Sequence, residues 1–363
     1  MKNTFGSAVK VTLFGESHGD AIGAVIDGLA PGIEIDYDFI NTQLERRRSK
    51  THVCTQRMET DDYKIISGVF EGHTTGTPLC IVITNRDTKS SDYQLFSSVA
   101  RPGHADYTAN CKYHGYQDFR GGGHFSGRIT VALVAAGAII QSALEKKGIY
   151  VGTHIKRCAF VDDRKFSDYF NDIKHLHSSK FSILDEKSME EMIQSASKIK
   201  ADNDSTGGIM ETAIVGVPAG VGEPWFDSIE SMLSHAMFSI PAVKGVEFGS
   251  GFACADMTGS QMNDEFYIDE NGDVLTKSNH NGGINGGISN GMPIVFSCAV
   301  KPTSSISRKQ KTVNFVDKIE TEIEIGGRHD STIIPRACVV AETLSAIVIA
   351  DLLVSRFGTD YLL

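Results

Sequence analysis

Short apolar runs and longer helical stripes take turns along the chain. AVKVTLF (8–14) and IGAVIDG (22–28) predict strands, as do KIISGVF (64–70) and LCIVITN (79–85), each punctuated by Gly or Pro. Between them Asp36 precedes Ile40 and Leu44, four apart, which predicts a helix capped at 36 and running to about Arg47. The stretch RITVALVAAGAIIQSALEKK (128–147) ends at Gly148, and its front two-thirds is apolar on nearly every side. Such a helix belongs in a core, packed on more than one face. Amphipathic stripes predict two more helices. One covers 186–200 through Met189, Met192, Ile193, Ala196 and Ile199, and the other covers 227–239 through Ile229, Met232, Leu233, Ala236 and Met237. In both, the methionines read as core packing rather than a ligand box. A last apolar helix is predicted over 340–357. Strand-like alternation returns at 210–217, 294–300 and 319–326. No Pro- or Ser-rich linker divides the chain, no fixed period repeats, and no βαβ rhythm emerges. The pattern predicts one α+β domain over residues 1–363, with antiparallel sheets and buried helices.

Composition narrows the function. The chain has 363 residues, 41% of them hydrophobic, so a large core is affordable. A net charge of −10 and a pI near 5.6 argue against a nucleic-acid or anionic-membrane surface. A small anionic substrate remains compatible, because a local arginine cluster can overrule the global sign. Seven cysteines are scattered without a C-x-x-C pair, which predicts thiols in a reducing cytosol rather than a disulfide framework or a metal site. The N-terminus lacks a long apolar h-region, and no run of 18 apolar residues predicts a membrane span.

The candidate chemistry sits in glycine-rich turns. GESHG (15–19) matches the G-x-S-x-G elbow of serine hydrolases, but only 16 residues precede Ser17, and strand-like sequence follows it. An elbow needs earlier strands and a helix immediately after the serine, so a hydrolase is not predicted. Similar turns recur at RRRSKTH (46–52), RPGHADYT (101–108), RGGGHFSGR (120–128), SNHNGGINGG (278–287), KPTSS (301–305) and GRHDS (327–331). Arg46, Arg47, Arg48, Arg101, Arg120, Arg128, Arg328 and Arg336 bunch in or beside these turns. Glycines let backbone N–H groups approach a ligand, and arginines fork onto carboxylate and phosphate. Histidines beside them can move a proton. Brought together, the turns would form one polyanion pocket.

Taken in order, FGESHG, GVFEGHTTGTP, RPGHADYT, RGGG-x-x-S-x-R, GVPAGVGEP, IPAVKGVEFG, NHNGGINGG, KPTSSI and GRHD resemble the chorismate synthase family, over about residues 5–351. The resemblance implies a β-α-β sandwich of antiparallel sheets with helices packed between them, assembled as a cytoplasmic homotetramer. It implies an anti 1,4-elimination of phosphate from 5-enolpyruvylshikimate 3-phosphate (EPSP) to give chorismate. That reaction requires reduced FMN without net redox change, and the flavin is reduced either with NADPH or by an external reductase.

By the same resemblance, Ser17, Arg47, Arg101, Arg128 and Arg328 grip substrate. His18 protonates the departing phosphate, His104 steadies the reduced flavin, and Asp330 assists removal of the C6 hydrogen. Flavin contacts fall on His124, Phe125, Ser126, Pro241, Ala242, Gly286, Lys301, Pro302, Thr303, Ser304, Ser305 and Arg328. The chain departs from the family pattern at His124 and Phe125, where many relatives carry Arg-Ser, and at His52, where many carry Arg.

Overall fold

The computed structural model describes residues 2–48, 61–86, 90–326 and 330–363; His52 and Arg328 lie outside them. Two five-stranded sheets form the frame. The first runs in the order Thr4–Phe5, Lys10–Gly15, Ala21–Asp27, Leu79–Thr84, Tyr63–Ser67, and every pairing is antiparallel. The second runs Val243–Phe248, Ile294–Val300, Gly208–Val215, Tyr150–Cys158, Val161–Asp162, again antiparallel throughout. The helices are α1 (Tyr37–Arg48), α2 (Asp106–Tyr113), α3 (Thr130–Lys146), α4 (Tyr169–Ser178), α5 (Glu186–Ala201), α6 (Ile229–Met237), the single turn α7 (Gly259–Met262) and α8 (Ile334–Phe357).

Helices α1, α3 and α8 fill the space between the sheets, α3 against the first and α8 against the second. The all-round apolar sequence of α3 accounts for its place: Val131 through Leu144 are all buried. Gly137 lets α3 and α8 approach, since a Cβ there would stand 2.7 Å from Thr343. On the far face of the second sheet lies α4, its Ile173 seated on Gly152. The α+β sandwich expected from the sequence is the fold observed. The segments Gly127–Lys146 and Ile334–Phe357 are long and apolar enough to cross a membrane by composition alone, yet 89% and 100% of their apolar windows are buried in protein. They are core helices.

Local signals account for most element ends. Asp36 Oδ1 accepts the Phe39 N–H at 2.8 Å and starts α1 where predicted. Ser228 caps α6 by accepting the Ser231 N–H at 3.1 Å. Helix α8 begins six residues earlier than the pattern predicts, because Pro335 occupies its first turn, where no N–H is needed. The two chain ends are tied together: Asp351 on α8 accepts the N–H groups of Ser7, Ala8 and Val9 at 2.6–3.0 Å.

Candidate active site

The GESHG turn and the RGGGHFSGR loop dock face to face. Ser17 N–H donates to Gly123 O at 3.1 Å, and His124 Nδ1–H donates to Gly15 O at 2.8 Å. A carbonyl only accepts, so the second contact puts a proton on His124 Nδ1 and leaves Nε2 as the acceptor of a neutral ring. The three glycines are required here. Gly121, Gly122 and Gly123 all have positive φ, and a Cβ on Gly121 would fall 2.1 Å from the His18 ring and 2.9 Å from Ser17 Oγ. The loop therefore closes only with bare backbone over the Ser17–His18 pair.

Past this loop stands an arginine corner. Arg47 Nε donates to Thr130 Oγ1 at 3.0 Å, and its Nη2 to Gly127 O at 2.8 Å. Arg128 Nε donates to Asn85 Oδ1 at 3.2 Å, while its Nη1 pairs with Asp61. Both guanidiniums are nearly buried, with side-chain exposures of 10% and 5%. Ser126 Oγ accepts the Arg128 N–H and turns the chain into α3.

His104 is oriented by Asp106. Its Nδ1 lies 2.7 Å from Asp106 Oδ1, which also accepts from Arg101 Nη2, while Oδ2 accepts from Arg101 Nε and N–H. A carboxylate can only accept, so His104 carries its proton on Nδ1 and presents Nε2. Burial pushes the Asp106 carboxyl up, but the hydrogen bonds from Arg101 and His104 prevail and hold it well below the usual carboxylate range. The His104 ring rests on Gly122.

Opposite lies a rim of hydroxyls and lysines. Lys301 N–H donates to Ala242 O, its Nζ donates to Gly103 O at 2.9 Å, and Thr303 Oγ1 donates to Asp330 O at 3.0 Å. The KPTSS turn thus ties the His104 loop to Asp330. Burial, then the neighbouring Lys244, lowers the Lys301 pKa. Asp330 pairs with Arg336 at 3.4 Å.

These parts enclose a cavity of about 830 Å³. Of the residues singled out in the sequence, Arg47, Arg48, His104, His124, Phe125, Ser126, Arg128, Pro241, Ala242, Lys301, Pro302, Thr303, Ser304, Ser305, Asp330 and Arg336 line it. Ser17 and His18 stand behind Gly121 rather than in the wall. Arg101 is turned to Asp106 and to the Phe96 ring, 4.3 Å from its centroid, and does not line the cavity. Gly286 sits in the turn between Ile284–Asn285 and Ile288–Ser289, away from the wall. Arg120 is paired with Asp118 at 2.8 Å. Sequence reasoning gave no role to Asp61, Asn85, Asp106 or Lys244. Asp106 and Lys244 stood inside quoted motifs, RPGHADYT and IPAVKGVEFG; Asp61 and Asn85 carry no spacing that marks them.

Residues fit for a flavin are present. Leu133 on α3 and Val340, Leu344 and Ile347 on α8 form an apolar wall for a flat ring, and Lys244, Lys301, Ser304 and Ser305 offer donors for a phosphate. Among the described residues, no group of three or more His, Cys, Asp or Glu side chains could hold a metal ion.

An antiparallel sandwich whose glycine loops carry cations to one half-apolar cavity is the build of an enzyme for small polyanions. A family model for chorismate synthase matches residues 9–354. Chorismate synthases of Thermococcus kodakarensis and Synechocystis are 45% and 43% identical, each over 97% of this chain and 97% of its own length. That of Methanocella arvoryzae is 46% identical over 97% of this chain and 94% of its own. The crystal structure of a chorismate synthase superposes with a TM-score of 0.77 at 29% identity, covering 98% of this chain and 94% of the other. The chain belongs to the chorismate synthase family, a lyase family.

Proposed function

We propose that the protein eliminates phosphate from EPSP to give chorismate, as a single domain that holds reduced FMN in the same cavity. The carrying observation is that arginines, lysines and an apolar stretch of α3 and α8 line one cavity. The arginine corner of Arg47, Arg48 and Arg128 suits a substrate with two carboxylates and a phosphate, and the Lys244–Lys301 rim suits a flavin's phosphate tail. When bound, reduced FMN supplies the electron-rich ring that the elimination needs. The protein's own residues supply the rest. Arg47 and Arg128 orient the substrate. By the family resemblance Ser17 and His18 serve the departing phosphate, with His18 as the proton donor, although Gly121 here stands between them and the cavity. Asp330, in the cavity wall, takes part in removing the C6 hydrogen. His104, locked by Asp106, directs Nε2 to the flavin.

The homotetramer is supported by large apolar side chains left exposed at Trp225, Phe226, Phe252 and Phe266. A cytoplasmic location is supported by the free thiols of all six described cysteines. NADPH oxidation by the purified protein with FMN would identify self-reduction; its absence would point to an external reductase.

An anaerobic assay with EPSP and chemically reduced FMN tests the main reading. Chorismate and phosphate should form with no stoichiometric flavin oxidation. Equal turnover with oxidised FMN, or one flavin oxidised per product as in a conventional oxidoreductase, would overturn it. His18→Ala and Asp330→Asn should each lose about 10²–10⁴-fold in rate. With C6-deuterated substrate, the isotope effect should grow in Asp330→Asn and shrink in His18→Ala. The reverse would swap their roles.

A further inference from the structure

One carboxylate sits inside the arginine corner. The Asp61 side chain is 3% exposed; its Oδ1 pairs with Arg128 Nη1, and its Oδ2 lies 3.8 Å from Arg47 Nη1 and 4.0 Å from Arg48 Nε. All four residues line the cavity. The chain thus places an anion among the cations that face the ligand, where it opposes their attraction for any other anion.

Two roles are open to such a group: it can aim the arginines, or it can offset their charge. The geometry favours the second. Arg47 is already aimed by Thr130 Oγ1 and Gly127 O, and Arg128 by Asn85 Oδ1. Asn85 is itself pinned, its Nδ2 donating to Glu16 O at 3.0 Å and Gly19 O at 2.9 Å. Neutral acceptors therefore hold both guanidiniums in place, and what Asp61 adds is a negative charge.

We propose that Asp61 is a resident counter-ion that sets the affinity of the arginine corner, weakening its hold on the substrate's anionic groups so that the site can release them. This rests on the reading of the cavity as the EPSP site. Three cations against a substrate with two carboxylates and a phosphate, in a water-poor corner, would hold substrate and released phosphate alike. One fixed carboxylate reduces the net charge of the corner from three to two. At the screening typical of partly buried sites, a unit charge several ångströms from a bound anion changes its affinity on the order of 10–100-fold.

The test is calorimetric binding of EPSP and of inorganic phosphate, alongside steady-state kinetics of the flavin-loaded enzyme. Asp61→Asn should bind EPSP about 10–100-fold more tightly, bind phosphate more tightly too, and lower KM without raising kcat. Asp61→Glu, which keeps the charge, should stay within a few-fold of wild type. Asp61→Asn combined with Arg48→Gln restores the net charge of the corner and should return the affinity to the wild-type range. Equal or weaker EPSP binding by Asp61→Asn would overturn the proposal, since that is the mark of a residue that aims the arginines. If the single variant does not fold, the double variant decides: EPSP affinity near wild type supports the counter-ion, and a loss beyond tenfold removes it. Wild-type protein that binds phosphate but not EPSP would refute the function proposed above, and the phosphate comparison would still judge Asp61.

Discussion

Arg46 and Arg47 are neighbours on α1, and the molecule uses them in opposite ways. Arg46 points between the sheets. Its Nη1 and Nη2 fork onto Glu342 of α8 at 2.7 and 3.1 Å. Glu342 is fully buried and also accepts from Gln43, Gln141 and the Thr153 N–H, each at 3.2 Å. Burial pushes the Glu342 pKa up, but Arg46, His177 and Gln141 outweigh it and hold the carboxyl below its ordinary value. Charge is matched and the carboxylate is saturated. Arg47 points into the cavity, where it shares Asp61 with two other arginines. There cations outnumber the carboxylate. A buried charge with its partner in place holds a fold together; a surplus of charge at a cavity wall draws a ligand. A step of one residue on a helix turns the side chain by about 100°, and that rotation separates the two fates.

The contrast can be broken at several points. Arg46→Ala should do the most damage, because it strands Glu342 without its cation. A loss of about 3–5 kcal/mol is expected in denaturant unfolding. Replacing both partners, Arg46→Met with Glu342→Met, should recover most of that loss. If the double variant is no better than the single, charge matching is not what holds the helix layer.

Arg47→Ala should show the reverse profile. Unfolding stability should change little, while calorimetric EPSP affinity falls by about 2–5 kcal/mol, the cost of losing a charge-assisted pair to a buried anion. Unchanged affinity would take Arg47 out of the site.

Asp106→Asn probes the order within the site. The arrested His104 tautomer would loosen, and kcat should drop on the order of 10²-fold with the fold retained. Acid unfolding should respond as well. The folded Asp106 carboxyl lies below its ordinary value of 3.8, so its contribution is present above that pH and is lost as pH falls toward the folded value. Asp106→Asn should lack that loss.

The smallest effect belongs to Glu145, at the edge of the Arg46 network. Burial first, and then Glu342, raises its pKa from 4.5 to about 7. The folded state then holds a proton that the unfolded state has released, so stability should decline as pH rises from about 4.5 to about 7. In Glu145→Gln, melting curves across that range should be flatter. Identical profiles in variant and wild type would show Glu145 to be ionised in the fold.

What could be read in the chain follows how local each signal is. The strands at 8–14, 22–28 and 79–85 and the helix at 128–147 announce themselves because their apolar residues recur with the period of the element they form. Helices α2 and α4 were not anticipated. Helix α2 buries only Asp106 and Ala109, and α4 only Asp172, Ile173 and Leu176, so few apolar positions repeat along either one. The glycine turns were legible as ligand approaches, but RRR gave no hint of its division between core and cavity. Arg101, grouped with the substrate arginines, is turned by the fold toward Asp106 and Phe96.

By itself the amino-acid order determined the α+β class, the apolar identity of α3 and α8, and the glycine positions that only bare backbone can fill. These rest on the period of side chains and on φ angles, both set within a few residues. Tertiary structure alone decided that Gly121 would lie against His18, that Asp61 would meet arginines from two separate helical segments, and that Glu342 would neutralise Arg46 across nearly the whole chain. Those pairings depend on which surfaces pack together, and electrostatic energy depends on distance and burial in space rather than on separation along the chain.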